Sequence, residues 1–365
     1  MVESRIRRNI PALTGLRWVA ALLVILRHNP PSPDSLLYPV FSNGHSGVTL
    51  FFVLSGFVLS VNYFDRFPTM SFGALKEFYA ARFARIYPLY ILVLVGYGII
   101  FGFEEWSVLI QHILLIQAWS SDSDISYAMN GPGWSLGVEA FFYILFPFLI
   151  ITVRPLLSSR ARAVALLVCS LLLPLIGAVI FQFSSLQDLA ENDPNSMWRW
   201  LYRNPALRLG DFLSGVALAS IYLNRQAFRF NQSRRLLVYL PWFGLLVALS
   251  LRLLTNSPFG LDFVFAVASC GIIFTAVEAQ DSSVSRILST RPLVLLGEFS
   301  FAAYLVHVPI RQAVFTNIFG NGFTVGAVTS FVMYVALVVV VSALLHYVVE
   351  RPARILIRRL LGTMN

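Results

Sequence analysis

The feature that most limits this chain is the recurrence of apolar runs long enough to cross a bilayer. A hydrocarbon core of roughly 30 Å takes about 20 helical residues. Runs of that order lie near 10–28, 46–64, 86–103, 134–153, 163–183, 206–223, 236–254, 261–279, 293–318 and 324–347. Lipid cannot satisfy an open strand edge, so each run is expected to be a helix. Of the 365 residues, 57% are apolar and 12% charged, more hydrophobic surface than a soluble core could hide. The expectation is an all-α, polytopic integral membrane protein with about ten transmembrane helices, forming a single transmembrane domain over 1–365.

Orientation follows from the placement of lysine and arginine in the short loops. With the N-terminus inside, the cytoplasmic connections hold Arg5, Arg7, Arg8, Arg66, Lys76, Arg82, Arg85, Arg154, Arg160, Arg162, Arg225, Arg229, Arg234, Arg235, Arg286, Arg291, Arg351, Arg354, Arg358 and Arg359. Only seven of the 27 basic side chains fall elsewhere: Arg17, Arg27, Arg199, Arg203, Arg208, Arg252 and Arg311. This predicts N-in, C-in topology in the cytoplasmic (inner) membrane. The net charge of +9 comes in short clusters between apolar runs, which points to anionic lipid or an anionic substrate and away from nucleic acid. Cys169 and Cys270 lie inside apolar runs without metal or redox spacing and read as packing residues. No small-residue cleavage site follows the first run, which is expected to stay as an anchor.

One segment tests the threading. Val108 to Trp119 is apolar but only about twelve residues long, and counting it as a span would push Arg154, Arg160 and Arg162 outside. It is expected to be an interfacial or re-entrant helix in an acidic external loop with Glu104, Glu105, Asp122 and Asp124. The external segments 29–45, 104–133 and 184–205 are too short for a soluble domain, and no internal repeat of the transporter kind stands out.

Ionisable groups inside a membrane are costly unless paired or hydrated, so each one within a span is a candidate for function. Arg17 and His28 are eleven residues apart, which on a helix is about three turns plus 20°, one face and roughly 16 Å along the axis. Pro30, Pro31 and Pro33 stop the helix just beyond His28. A neutral imidazole there can take a proton from a hydroxyl attacking a thioester, and a guanidinium can neutralise phosphate or oxyanion charge. The plainer alternative has Arg17 snorkelling and His28 capping the helix.

Further candidates follow along the chain. His45 could assist His28, but two histidines fall short of a metal ligand set, so no metal is expected. Ser55 and Gly56 read as packing against the first helix, with Ser55 also a candidate substrate contact. Arg82 and Arg85, three residues apart, suit a polyphosphate, although positive-inside topology explains either one alone. Glu139, over one turn into the fourth span, either orients His28 or an arginine, or pairs with Arg208. Tyr304 and His307 lie one turn apart and either reach an acceptor or form a structural pair. Asp211, Asp262 and Glu350 are expected to pair structurally, and His112 and His346 stay unassigned.

The ordered pattern resembles the membrane acyltransferase-3 family, the OafA-like O-acyltransferases, over nearly the whole chain. Leu13, Gly15, Leu16, Arg17 with His28 is similar to that family's Arg-x10-His motif. Gly47 through Phe51, Phe52, Ser55, Gly56 and Phe57, then Arg82 to Pro88, then Trp134, Ser135, Leu136 with Glu139, Phe142, Tyr143 and Pro147, match further elements. Ser300, Tyr304, Leu305, His307 and Pro309, and finally Glu350, Arg351 and Pro352, complete the series. Phe301 departs from a common tyrosine, and Ala80 and Ala81 from a common basic residue before Arg82.

The resemblance implies an acyl-CoA co-substrate, most simply acetyl-CoA, with no resident cofactor, and a hydroxyl acceptor on a surface carbohydrate or glycosylated small molecule. It implies His28, Arg17 and Glu139 as catalytic residues, and Arg82, Arg85, Tyr304, His307, His45 and Ser55 as substrate contacts. The SGNH hydrolase domain of some members is not expected, which leaves room for a separate periplasmic partner. The competing class is a transporter of an anionic or glycosylated compound that uses the same buried charges.

Overall fold

The computed structural model describes residues 10–64, 71–157, 159–223, 237–316 and 327–362, and all regular structure among them is helical. The main helices are α1 (Pro11–Arg27), α2 (Ser46–Tyr63), α3 (Phe72–Phe101), α4 (Trp106–Ile113), α5 (Trp134–Leu157), α6 (Arg160–Gln182), α7 (Pro205–Leu223), α8 (Leu240–Ser250), α9 (Phe263–Glu278), α10 (Arg291–Ile310), α11 (Ala327–Leu345) and α12 (Arg351–Leu360). Among the described residues, eight helical runs are long and apolar enough to cross a membrane. The basic residues Arg5, Arg7, Arg8, Arg66, Arg225, Arg229, Arg234 and Arg235, on which part of the orientation rests, lie outside the described residues.

Every expected run has a helical counterpart, but two are short. α1 has 17 residues and α8 only 11. The run near 236–254 was expected to be longer, and the structure shows why it stops. Pro241 opens α8, where a missing N–H costs nothing. At its other end the Asn43 amide donates to the carbonyls of Leu249 at 3.1 Å and Leu251 at 3.2 Å, satisfying groups that further helix would have used. α3 is longer than expected, 30 residues where the apolar run near 86–103 marked only its second part, so Arg82 and Arg85 lie within the helix. The segment around 108–119 forms the 8-residue α4 and a 3-10 turn at Gln117–Trp119, too short to span. Its apolar side chains Trp106, Ile110, Leu114 and Ile116 are exposed.

The chain divides into two compact units, one of residues 1–71 and 145–297, the other of 72–144 and 298–365. In the first unit, α2 packs against α1 and α7 around Leu16, Ala20, Val53, Phe57, Ala219, Tyr222 and Ile273. In the membrane close approach of backbones replaces the hydrophobic effect as the source of helix association. α2 and α7 achieve it reciprocally: a Cβ on Gly56 would overlap the Phe212 carbonyl oxygen, and one on Gly215 would overlap that of Val53. In the second unit, α12 packs on α3, and the loop before α5 is tied down by polar bonds. Gln117 Nε2 donates to the Gly133 carbonyl at 3.0 Å, Ser126 Oγ to that of Gln117 at 3.0 Å, and Asn130 Nδ2 to that of Leu305 at 2.7 Å.

Candidate active site

In the first unit, α1 carries Arg17 and His28, both half-buried, while Leu16, Trp18, Ala20 and Ala21 are buried. The helix ends at Arg27 and His28 is its C-cap residue. His28 Nδ1 lies 2.9 Å from the carbonyl oxygen of Val24. A carbonyl oxygen only accepts, so Nδ1 carries the ring proton and a neutral His28 has its lone pair on Nε2. Capping and basicity are therefore compatible in this residue: one nitrogen closes the helix, and the other is the base of the ring. Asn29 Nδ2 donates to the Ile25 carbonyl at 2.7 Å and finishes the cap. Next to His28 in sequence, Arg27 lies 3.9 Å from Glu191 and over the Trp198 ring at 5.4 Å.

His45 has a packing environment. It is 1% exposed, with Nδ1 2.9 Å from the Ser42 carbonyl and Nε2 2.9 Å from that of Gly260. Its edges meet Trp198, Tyr202 and Phe265 at centroid distances of 5.5 to 5.8 Å. Ser55 is half-buried on α2 next to the closely packed Gly56.

Arg208 is fully buried and answered within the same unit. Its guanidinium lies 3.0 Å from Asp211 and 2.6 Å from Asp262, and donates to Thr49 Oγ1 at 2.8 Å. Asp211 and Asp262 pair as the sequence led one to expect.

In the second unit, Glu139 accepts a hydrogen bond from the Tyr143 hydroxyl one turn along α5. Arg82 stacks over Tyr143 and Phe78 at 5.5 and 5.8 Å, and Arg85 over Phe301 at 5.3 Å. Phe301, a departure from the family's common tyrosine, thus gives Arg85 a flat face to rest on. Tyr304 and Ser135 share a 2.6 Å hydroxyl hydrogen bond and lie 3.1 and 3.0 Å from the Pro132 carbonyl, so that one hydroxyl donates to its neighbour and the other to the carbonyl. That network holds the Gly131–Gly133 turn which opens α5. His307 is fully buried, its Nδ1 2.8 Å from the Tyr304 carbonyl, and its ring centroid is 5.9 Å from that of Tyr304.

His112, in α4 and outside the spans, is held below the ordinary 6.5 by burial, with its Nε2 2.9 Å from the Ile125 carbonyl. Its neutral form supports the loop. Among the described residues, no three His, Cys, Asp or Glu side chains are grouped to hold a metal ion.

Glu350 pairs structurally as expected, with partners that the sequence did not name. Glu350 is 1% exposed and binds Arg85 at 2.6 Å and Arg354 at 3.6 Å through Oε1, while His346 Nδ1 lies 3.0 Å from Oε2. The signal was present, because His346, Glu350, Arg354 and Arg358 recur every four residues and so share a helix face.

A family model described as an acyltransferase domain matches residues 10–347. The chain belongs to this acyltransferase family. It is 30% identical to the acyltransferase MdmB of Streptomyces mycarofaciens, over 97% of this chain and 92% of that protein. It is 28% identical to the peptidoglycan O-acetyltransferase OatA of Listeria monocytogenes, over 83% of this chain but 50% of OatA, so the match spans about half the length of that relative. No solved structure matches the chain. The family is one of acyl-transferring enzymes, which decides between the two classes left open by the buried charges. With eight helical runs able to cross a bilayer, this acyltransferase is a multi-pass membrane protein.

Proposed function

We propose that this acyltransferase moves an acyl group, acetyl in the simplest case, from cytoplasmic acyl-CoA to a hydroxyl of a surface carbohydrate or glycosylated small molecule. We further propose that it lies N-in and C-in in the cytoplasmic membrane, and that His28 is the general base. The observation that carries the reading is the 2.9 Å contact of His28 Nδ1 with the Val24 carbonyl, which puts the imidazole lone pair on Nε2. In the step we propose, the acceptor oxygen attacks the thioester carbonyl and forms the C–O bond as Nε2 takes the hydroxyl proton. The C–S bond then breaks, and the departing CoA sulfur takes that proton from the imidazolium.

Arg17, on the same face of α1 but roughly 16 Å along the axis from His28, supplies positive charge for a phosphate of the donor and not for the reacting carbonyl. Arg82 and Arg85 hold donor phosphate, and their aromatic stacking limits the conformational freedom lost on binding. Glu139, with its carboxylate fixed by Tyr143, is a positioning residue in this scheme. Ser55 in the first unit and Tyr304 in the second are substrate contacts in this scheme, while His45 and His307, both buried, support the packing within their own units. Relatives named as O-acetyltransferases, two of them of peptidoglycan, support a glycan acceptor.

The test is glycan and metabolite mass spectrometry on a strain lacking the gene, complemented with wild type or His28→Ala at matched membrane levels. An acyl mass lost in the deletion and restored only by the wild type is expected, since general-base catalysis contributes about 10²–10⁴ in rate. Full restoration by His28→Ala would remove the base assignment. An unchanged acyl profile in the deletion strain would remove the proposed acceptor class.

A further inference from the structure

The residue before His28 is held more firmly than the end of a helix needs. Arg27 closes α1, and His28 is the C-cap residue. The threading by positive charge puts Arg27 at the far end of its span, where topology does not account for it. Its guanidinium lies over the Trp198 ring at 5.4 Å and 3.9 Å from Glu191, both in the connection between α6 and α7. Trp198 is buried and opens the π-helical segment Trp198–Arg203, an irregularity of a kind often found at functional sites. The indole meets Tyr202 at a centroid distance of 5.5 Å and His45 at 5.7 Å, both edge-on. His45 in turn lies 2.9 Å from each of the Ser42 and Gly260 carbonyls. The connections 28–45, 183–204 and 251–262 thus converge, through Trp198, on the side chain next to His28, all within the first unit. The start of α2 grips the same end of α1. A Cβ on Gly44 would overlap the Leu23 carbonyl oxygen, and one on Gly47 that of Ala20.

We infer that Arg27 is a positioning residue for acyl transfer: clamped by Trp198 and Glu191, it fixes the end of α1 and so the place of His28 Nε2 relative to the acceptor hydroxyl. The inference rests on the general-base reading of His28 and adds to it residues that act through that histidine. Helix ends fray, and the amides of His28 and Asn29 bond back to the carbonyls of Val24 and Leu26 at 3.3 and 2.9 Å, in the turn most prone to open. A reacting group displaced by about 1 Å loses about a hundredfold in rate, so a base placed on such a turn needs outside support. A guanidinium over an indole face holds by its plane as well as its charge, which makes arginine and lysine unequal here. The Glu191 pair is partly exposed and screened, so it aims the guanidinium and adds little strength. A cation is favourable at any helix C-terminus, which accounts for a positive charge at position 27 but not for its stack on a buried tryptophan.

The experiment compares wild type with Arg27→Gln, Arg27→Lys and the control Arg252→Gln, which removes another arginine of the first unit that stacks on an aromatic ring, Tyr38 at 5.7 Å. Two quantities are read: the rate at which the acyl mass appears in the complemented deletion strain at matched membrane levels, and hydrogen exchange of the 23–30 peptide in the purified full chain. Arg27→Gln is expected to slow acylation about tenfold or more and to speed exchange of that peptide, with the thermal midpoint and CoA affinity of wild type. Arg27→Lys is expected to recover part of both losses, and Arg252→Gln to match wild type in both. Unchanged exchange in Arg27→Gln overturns the inference whatever the acceptor proves to be, and so does a wild-type rate of acylation. A loss of rate that comes with a lowered midpoint, or that Arg27→Lys does not relieve, also overturns it and makes Arg27 a prop of the fold. An equal loss in Arg252→Gln overturns it in favour of a general effect of surface charge. If His28→Ala acylates as fast as wild type, the base reading falls, a result distinct from all of these. Should Arg27→Gln fail to accumulate, Arg27→Lys alone decides: faster exchange and a severalfold slower rate support the inference, and wild-type values overturn it.

Discussion

At the scale of single residues, the chain separates buried charge that builds from charge poised to act. Arg208 belongs to the first kind: it is fully buried between Asp211 and Asp262, with Thr49 as a further acceptor. Removing one partner of such a group strands the rest in a medium that cannot solvate them, at a cost of about 3–5 kcal/mol. Arg208→Met is expected to lower the detergent unfolding midpoint sharply, and Asp262→Asn, which keeps a polar partner and one carboxylate, to lower it less. Equal midpoints for Arg208→Met and wild type would show that the cluster does not hold the first unit together. On the proposal made above, His28 is of the second kind, half-buried at a helix end with one nitrogen committed to the backbone. The sequence placed His28 and Arg17 on one face of one helix. It could not say which His28 nitrogen bears the proton, because that depends on how the chain turns after Arg27. It also could not see that Phe301 would stack on Arg85, since a contact between distant helices leaves no local pattern.

Among the helices, what was legible is what hydrophobic periodicity and length encode. Each apolar run became a helix, and the short run near 108–119 stayed too short to cross. What escaped was set by partners far along the chain. The end of α8 is decided by Asn43, about two hundred residues earlier, and the apolar run alone gives no sign of it. The start of α3 was hidden because its first turns are polar and amphiphilic, outside any window tuned to hydrophobicity. The crossing of α2 and α7 is a case where a small residue is required. Gly215→Ala would place a methyl group against the Val53 carbonyl, and separating the helices to relieve it costs roughly 1–3 kcal/mol. A lowered thermal midpoint of the purified variant in detergent is expected; an unaltered midpoint would mean that the two helices do not rely on this approach.

For the molecule as a whole, topology is the quantity that joins the two proposals. The donor enters from the cytoplasm only if Arg82 and Arg85 face it, and the threading that puts them there is the one that leaves Arg199 and Arg203 outside. Reporter fusions check it: a fluorescent protein after residue 365 is expected to be bright in the cytoplasm, and a periplasm-dependent phosphatase inserted in the 184–197 loop to be active. The reverse pattern would exclude a cytoplasmic donor bound by these arginines.

The shortness of α1 has a consequence for the lipid around it. Seventeen residues rise only about 26 Å, less than a typical hydrocarbon core, and the prolines at 30, 31 and 33 keep the helix from growing to match a thicker one. Mismatch of this sign is relieved by the bilayer, which thins locally at a cost of fractions of a kcal/mol per ångström. With α1 as a span, as proposed, the stretch from Arg17 to His28 is a fixed length of protein, and the bilayer meets it by thinning or the flanking side chains meet it by snorkelling.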